Sequence, residues 1–162
     1  MIDGLREARL DVQRRLAPEM DWFTPPDERH FDPASAVAAV AGLLVSAFLA
    51  GFAAEAEKSL REAGRAAYRR LEALIRDALR GEPAPAAAEL ERLAEKAPAL
   101  AGRMEPDRVR SFLEEAEATL RIHLEVSLPP DRAASLAAGI REAVVERVLR
   151  AGRGAGTQTV NP

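Results

Sequence analysis

Hydrophobic and polar positions alternate at helical spacing along most of this chain, with one exception. Ala34 to Ala54 reads ASAVAAVAGLLVSAFLAGFAA, twenty-one residues without a charge. As a helix it spans about 30 Å, the thickness of a bilayer's hydrocarbon core. Nine of the twenty-one are alanine, which contributes little to transfer into lipid. The stronger apolar residues are Val37, Val40, Leu43, Leu44, Val45, Phe48, Leu49 and Phe52. By length and composition the stretch suits either a bilayer or a protein core. It carries two ridges at four-residue spacing, one of small residues (Ala38, Gly42, Ser46, Ala50, Ala54) and one of large residues (Val40, Leu44, Phe48, Phe52). Positions two apart lie about 200° apart around a helix, so the ridges face nearly opposite ways. Small ridges permit close helix approach in membranes and in tightly packed soluble bundles alike.

The rest of the chain predicts amphipathic helices. One runs from about Asp3 to Ala17, with Ile2, Leu5, Val12 and Leu16 on its apolar side, and Pro18 ends it. The segment 21–33, with three prolines and five charges, reads as a loop that Trp22 and Phe23 pin to the core or present to a partner. Asp32 and Pro33 form an N-cap and first-turn pair for the central helix. After Glu55 the helical stripe continues through Leu60, Gly64, Ala67, Leu71, Leu74, Ile75 and Ala78, which predicts a helix over 34–80 bent near Gly51 or Gly64. Gly81 closes it as the residue just past its end, and GEPAP is a turn. A short helix over 84–96 ends by Pro98, and a connecting turn with Gly102 and Pro106 follows. Helices over 107–126 and about 131–150 complete the domain, 1–150. Together with the first helix they are expected to cover the large ridge. Leu120 to Leu128 also alternates in the manner of a strand, but no partner strand exists elsewhere, so helix is preferred. His123 falls on a polar face in either reading and receives no ligand role. The fold class is therefore all-α, a helical bundle of four to six helices around a long central hydrophobic helix.

Composition and charge narrow the function. The 162 residues are 48% hydrophobic and 30% charged, with few aromatics. A net charge of -3 disfavours nucleic acid as a partner. The charge is unevenly placed. Residues 58–80 hold seven cations, Lys58, Arg61, Arg65, Arg69, Arg70, Arg76 and Arg80, against three anions. Residues 1–33 hold five cations against eight anions. The basic excess lies directly after the uncharged stretch, where it forms a solvated bundle face or meets an anionic membrane. The chain has no cysteine and two distant histidines, His30 and His123, so neither a thiol catalyst nor a Cys/His zinc site is expected. No catalytic constellation, phosphate loop or cofactor motif occurs, and the acidic runs Asp27, Glu28 and Glu114, Glu115, Glu117 read as solvated faces. The chain is accordingly expected to be no enzyme and to need no cofactor or metal. No secretory signal opens it, which implies a cytoplasmic start. The tail 151–162 has no core-forming run and is expected to be disordered in isolation. Within it Gly154, Gly156, Gln158, Val160 and Asn161 suit cross-β contact with another chain.

The run from Ala39 to Pro98 resembles the small helical effectors of bacterial immune and programmed-death systems. Their Ala/Gly-rich helix leads into an AGxAxYxxLxxL-like segment, matched here by Ala63, Gly64, Ala66, Tyr68, Leu71 and Leu74, and then a G-(D/E)-P turn, matched by Gly81, Glu82 and Pro83. Members called Bell domains resemble fungal HeLo-type and animal necroptosis bundles, and many end in a short amyloid-signalling motif to which Gly154–Asn161 is similar. Two features differ: thirty-three residues precede the apolar stretch, and the tail is shorter than a full motif. The resemblance implies a non-enzymatic effector of defence or programmed death that permeabilises membranes on activated oligomerisation. The implied packing helix comprises Ala38, Val40, Gly42, Leu44, Ser46, Phe48, Ala50, Gly51 and Phe52, flanked by Lys58, Arg61, Arg65, Arg69 and Arg70. Its partners would be further copies of itself, an anionic membrane, and a signalling protein with a matching tail. It would reside in the cytoplasm and associate with the membrane on activation. The alternative is a soluble helical adaptor or scaffold that binds a protein partner without membrane activity.

Overall fold

In a computed structural model the uncharged stretch is one helix, α2 (Pro33–Ala56), set at the centre of the bundle. The structure describes residues 2–19, 33–79 and 85–149. The loop with Trp22 and Phe23, the cap residue Asp32, the Gly81–Glu82–Pro83 turn and the tail with Gly154, Gly156, Gln158, Val160 and Asn161 lie outside the described residues. Around α2 stand α1 (Ile2–Leu16), α3 (Arg61–Arg69), α4 (Leu71–Leu79), α5 (Pro85–Glu95), α6 (Ala97–Gly102), α7 (Pro106–Leu124) and α8 (Pro130–Val144), the last extended by a π-helical turn at Val145–Leu149. No strand occurs among the described residues, and the fold is an all-α bundle.

The all-round apolarity of α2 dictates this arrangement. A helix without a polar face has to be covered on every side. Within Val37–Ala56, whose mean hydropathy is 2.3, 83% of the stretch is buried. The large ridge Val40, Leu44, Phe48 and Phe52 is fully buried, and so in effect are Ser46, Ala50 and Ala54 of the small ridge. Only its N-terminal end is open, with Ala38 exposed and Gly42 half-buried. The surrounding helices each contribute one stripe: Ala8, Val12 and Leu16 from α1; Leu90, Leu93 and Ala94 from α5; Val109, Leu113, Ala116, Leu120 and Leu124 from α7. Leu120–Leu128 is helical up to Leu124 and then turns, which leaves Ile122 and Val126 exposed.

The structure corrects three expectations. First, the helix over 34–80 is not continuous, and it bends at neither Gly51 nor Gly64. It ends at Ala56, because Glu57 takes an extended conformation (φ -125°, ψ 112°) before a 3-10 turn at Lys58–Leu60. The Ser59 hydroxyl donates to Glu57 Oε1 at 2.8 Å across this break. A second interruption at Arg70 separates α3 from α4. Second, the cover of α2 includes a helix outside the expected set. α5 packs on it most extensively, then α1 and α7, while α8 lies mainly against α1 and α7. α5 presents Ala94 beside Leu90 and Leu93, which lets its backbone approach closely. Third, Pro98 does not begin an open turn. It sits in the first turn of α6, where a missing N–H carries no penalty.

Candidate functional site

The AGxAxY segment explains how the chain turns back on itself. After the break at Glu57, α3 runs alongside the C-terminal half of α2. A Cβ on Gly64 would collide with the Ala54 side chain, and a Cβ on Gly51 would collide with the Tyr68 hydroxyl and ring. Glycine at these two positions is therefore what allows α3 to seat on α2. The buried Tyr68 hydroxyl donates to the Ala47 carbonyl at 2.8 Å. On its other side the Tyr68 ring stacks on His123 of α7, with centroids 5.3 Å apart and planes 18° from parallel. Tyr68 thus clasps α2 and α7 together.

His123 is consequently no polar-face residue. It is half-buried, and desolvation lowers its pKa below the ordinary imidazole value. Burial raises the Tyr68 pKa far above the ordinary phenol value, with the nearby Glu55 charge adding to it. Glu55, at the C-terminal end of α2, is raised above the ordinary carboxylate value by burial first, then by a hydrogen bond and charge repulsion from Glu115 of α7; Arg61 and Arg65 act against this. A cavity of about 260 Å³ adjoins the clasp, lined by Glu55, Arg61, Arg65, Tyr68 and Thr119 above the two glycines. The acidic run is thus only partly a solvated face: Glu114 is exposed, Glu115 shares its hydrogen bond with Glu55, and Glu117 pairs with Arg141 at 2.7 Å.

The residues singled out by sequence separate into two groups. Val40, Leu44, Ser46, Phe48, Ala50, Gly51 and Phe52 come together in the core, and Gly42 faces the Arg9 side chain. Lys58, Arg65, Arg69 and Arg70 lie on the outer surface, whereas Arg61 is half-buried with its Nε cut off from solvent and unpartnered among the described residues. The small ridge is taken up within the chain itself, by Arg9 at Gly42 and by Gly64 at Ala54. Sequence reasoning passed over Arg9, Glu55 and the Tyr68–His123 stack. A tyrosine four residues after a glycine, opposite a glycine-bearing helix, is the one signal that pointed to the clasp. Among the described residues no group of acidic or histidine side chains is placed to hold a metal ion.

The two kinds of small position predict opposite responses. Gly42→Ala places its Cβ 3.7 Å from Arg9 Nε, an ordinary contact, so it should stabilise the fold by about 0.5–1 kcal/mol through helix propensity. Gly51→Ala drives its Cβ into Tyr68 and should destabilise by about 1–3 kcal/mol. Urea unfolding of the two variants side by side checks the sign of each. Set against known protein families, curated proteins and solved structures, the chain has no match in any of the three.

Proposed function

We propose that the protein is a non-enzymatic helical effector of a bacterial defence or programmed-death system, held soluble until triggered oligomerisation turns it on a membrane. One observation carries this reading: the one described helix long and apolar enough to cross a bilayer, Val37–Ala56, is also the helix that every neighbour covers. Release would expose its large ridge to lipid. The small ridge, freed of Arg9 and Gly64, would pack copy against copy. Lys58, Arg65, Arg69 and Arg70, already on the surface just past the break at Glu57, would meet anionic headgroups. Its partners are then further copies, an anionic membrane, and a signalling protein that engages the tail.

A second reading is favoured by the same coverage. With 83% of that stretch buried, α2 also serves as the core of a permanently soluble adaptor. Dye release from anionic liposomes separates the two. The effector should release dye when clustered through a fused oligomerising domain, and replacing Arg65, Arg69 and Arg70 with Gln should reduce release several-fold without altering the far-UV circular dichroism. Clustered protein that releases no dye, and that stays in the soluble fraction of expressing cells, would leave the adaptor as the standing account.

A further inference from the structure

The cavity of about 260 Å³ beside the Tyr68 clasp is lined by charges of both signs that do not meet. Glu55 comes from the C-terminal end of α2, Arg61 and Arg65 from α3. Elsewhere the bundle closes such pairs. Arg9, Arg15, Arg132, Arg141 and Arg147 each reach a carboxylate of another element at 2.7–3.5 Å. Among the described residues Arg61 and Arg65 form no ion pair within 4.0 Å. Their attraction for Glu55 is outweighed by its burial and by Glu115, so the cavity leaves the carboxyl and the two cations apart.

The space between them persists because no side chain can grow into it. Gly51, Ala54, Gly64 and Ala116 line it with nothing longer than a methyl group, and a Cβ on either glycine would collide with Tyr68 or Ala54. The Tyr68 hydroxyl is already committed to the Ala47 carbonyl, and Thr119 is the other neutral polar residue of the lining.

This mixture of charges sets the ligand class. A simple anion would lie against Glu55, and a simple cation against two arginines. A molecule that carries both charges avoids both conflicts. The volume falls below the roughly 300 Å³ at which sites for drug-sized ligands begin, so the occupant is small. We propose that this cavity binds a small zwitterionic amino acid, its ammonium on Glu55 and its carboxylate on Arg65. Arg65 is exposed, and its guanidinium is free to turn onto the carboxylate. Arg61 Nε is sealed from solvent and takes no part as a contact; Arg61 acts through its charge. Glu115, hydrogen-bonded to Glu55 from α7, places a second carboxyl behind the ammonium. The occupant bridges α2 to α3, a nine-residue helix between the breaks at Glu57 and Arg70, and holds α3 in its seat by mass action. The site belongs to the folded bundle and stands whether or not that bundle ever acts on membranes.

Backbone chemical-shift titration at neutral pH with free alanine, acetate and methylamine tests the site. Alanine should shift the amides of Gly51, Gly64 and Thr119. It should bind about tenfold or more tighter than acetate or methylamine, because one molecule joins two weak contacts. Glu55→Gln and Arg65→Gln should each weaken alanine about tenfold. Glu55 is half-buried and Arg65 exposed, so neither substitution touches the apolar core. Arg69→Gln removes an exposed cation of the same helix that does not line the cavity, and should leave alanine affinity unchanged. No alanine-dependent shift at the three amides, acetate or methylamine binding as tightly as alanine, or an equal loss in Arg69→Gln and Arg65→Gln would each overturn the proposal.

Discussion

Phe48→Ala is expected to lower the unfolding free energy by about 3–5 kcal/mol and the thermal midpoint by about 10 °C. Phe48 is fully buried at the middle of α2, one turn from Leu44 and one from Phe52, both also fully buried. Removing its ring takes away the transfer free energy of the atoms and leaves a cavity that rigid neighbours close only in part. Against a total stability of about 5–15 kcal/mol for a domain of this kind, that is a large fraction. Ile122→Ala makes the control. Ile122 is 60% exposed on α7, and its truncation should change stability by no more than about 0.5 kcal/mol. Thermal and urea denaturation followed by circular dichroism measure both. Equal effects at the two positions would mean that α2 does not organise the core, and the resting state on which both functional readings depend would have to be abandoned.

Much of this architecture is written in hydrophobic spacing. The start of α2 follows from Pro33 and its burial from the uncharged run, and Val12 and Leu16 of the apolar side of α1 are buried. The break at Glu57 was not legible. Residues 53–60 read AAEAEKSL, good helix formers with neither proline nor glycine, so local propensity favours continuation. Tertiary packing overrides it: a continuous helix would carry Gly64 and Tyr68 away from Ala54 and Gly51, and their close fit requires the chain to reverse. The candidate site was legible only as far as residue type. The ridges of α2 were readable, but what fills them was not, because Arg9 lies 33 positions before Gly42 and Tyr68 lies 17 after Gly51. His123 was misread for the same reason. Its polar neighbours Arg121, Ile122 apart, and Glu125 suggested a solvated face, and only the approach of α3 places a ring on it.

The surrounding helices have a single apolar stripe each, and α2 has apolar residues all round, so the bundle is a sheath and a filling rather than a set of equivalent helices. The sheath is tied to itself by exposed or half-exposed ion pairs, such as Arg132 with Glu19 at 3.0 Å and Arg147 with Glu7 and Asp11 at 3.4 Å. Surface pairs of this kind contribute about 0–1 kcal/mol apiece. The attachment of α2 to the sheath is therefore largely apolar, with the Tyr68 hydroxyl bond to Ala47 as a buried side-chain tie and the Glu55–Glu115 hydrogen bond as a second tie at its C-terminal end.

Tyr68→Ala and Tyr68→Phe together should separate what the clasp's ring does from what its hydroxyl does. Tyr68→Phe keeps the ring over Gly51 and against His123 and loses only the bond to the Ala47 carbonyl; it should lower stability by about 1 kcal/mol. Tyr68→Ala removes the ring as well and should lower stability by about 3–5 kcal/mol. The second readout is His123. Desolvation holds its imidazole below the ordinary value, so neutral His123 contributes stability that is complete above that ordinary value and is lost as pH falls through the lowered native one. Glu55 has the opposite sign. Its native value is raised, so its contribution is complete below the ordinary carboxylate value and is lost as pH rises through the native one. A Glu55→Gln background removes the opposing contribution of Glu55. There, Tyr68→Ala should bring the His123 titration, followed by its ring proton resonances, back up towards the ordinary imidazole value and flatten the acid slope, while Tyr68→Phe should leave both close to wild type. A His123 titration that ignores the loss of the Tyr68 ring would mean that α7 itself buries the imidazole, and the clasp would then join α3 to α2 only.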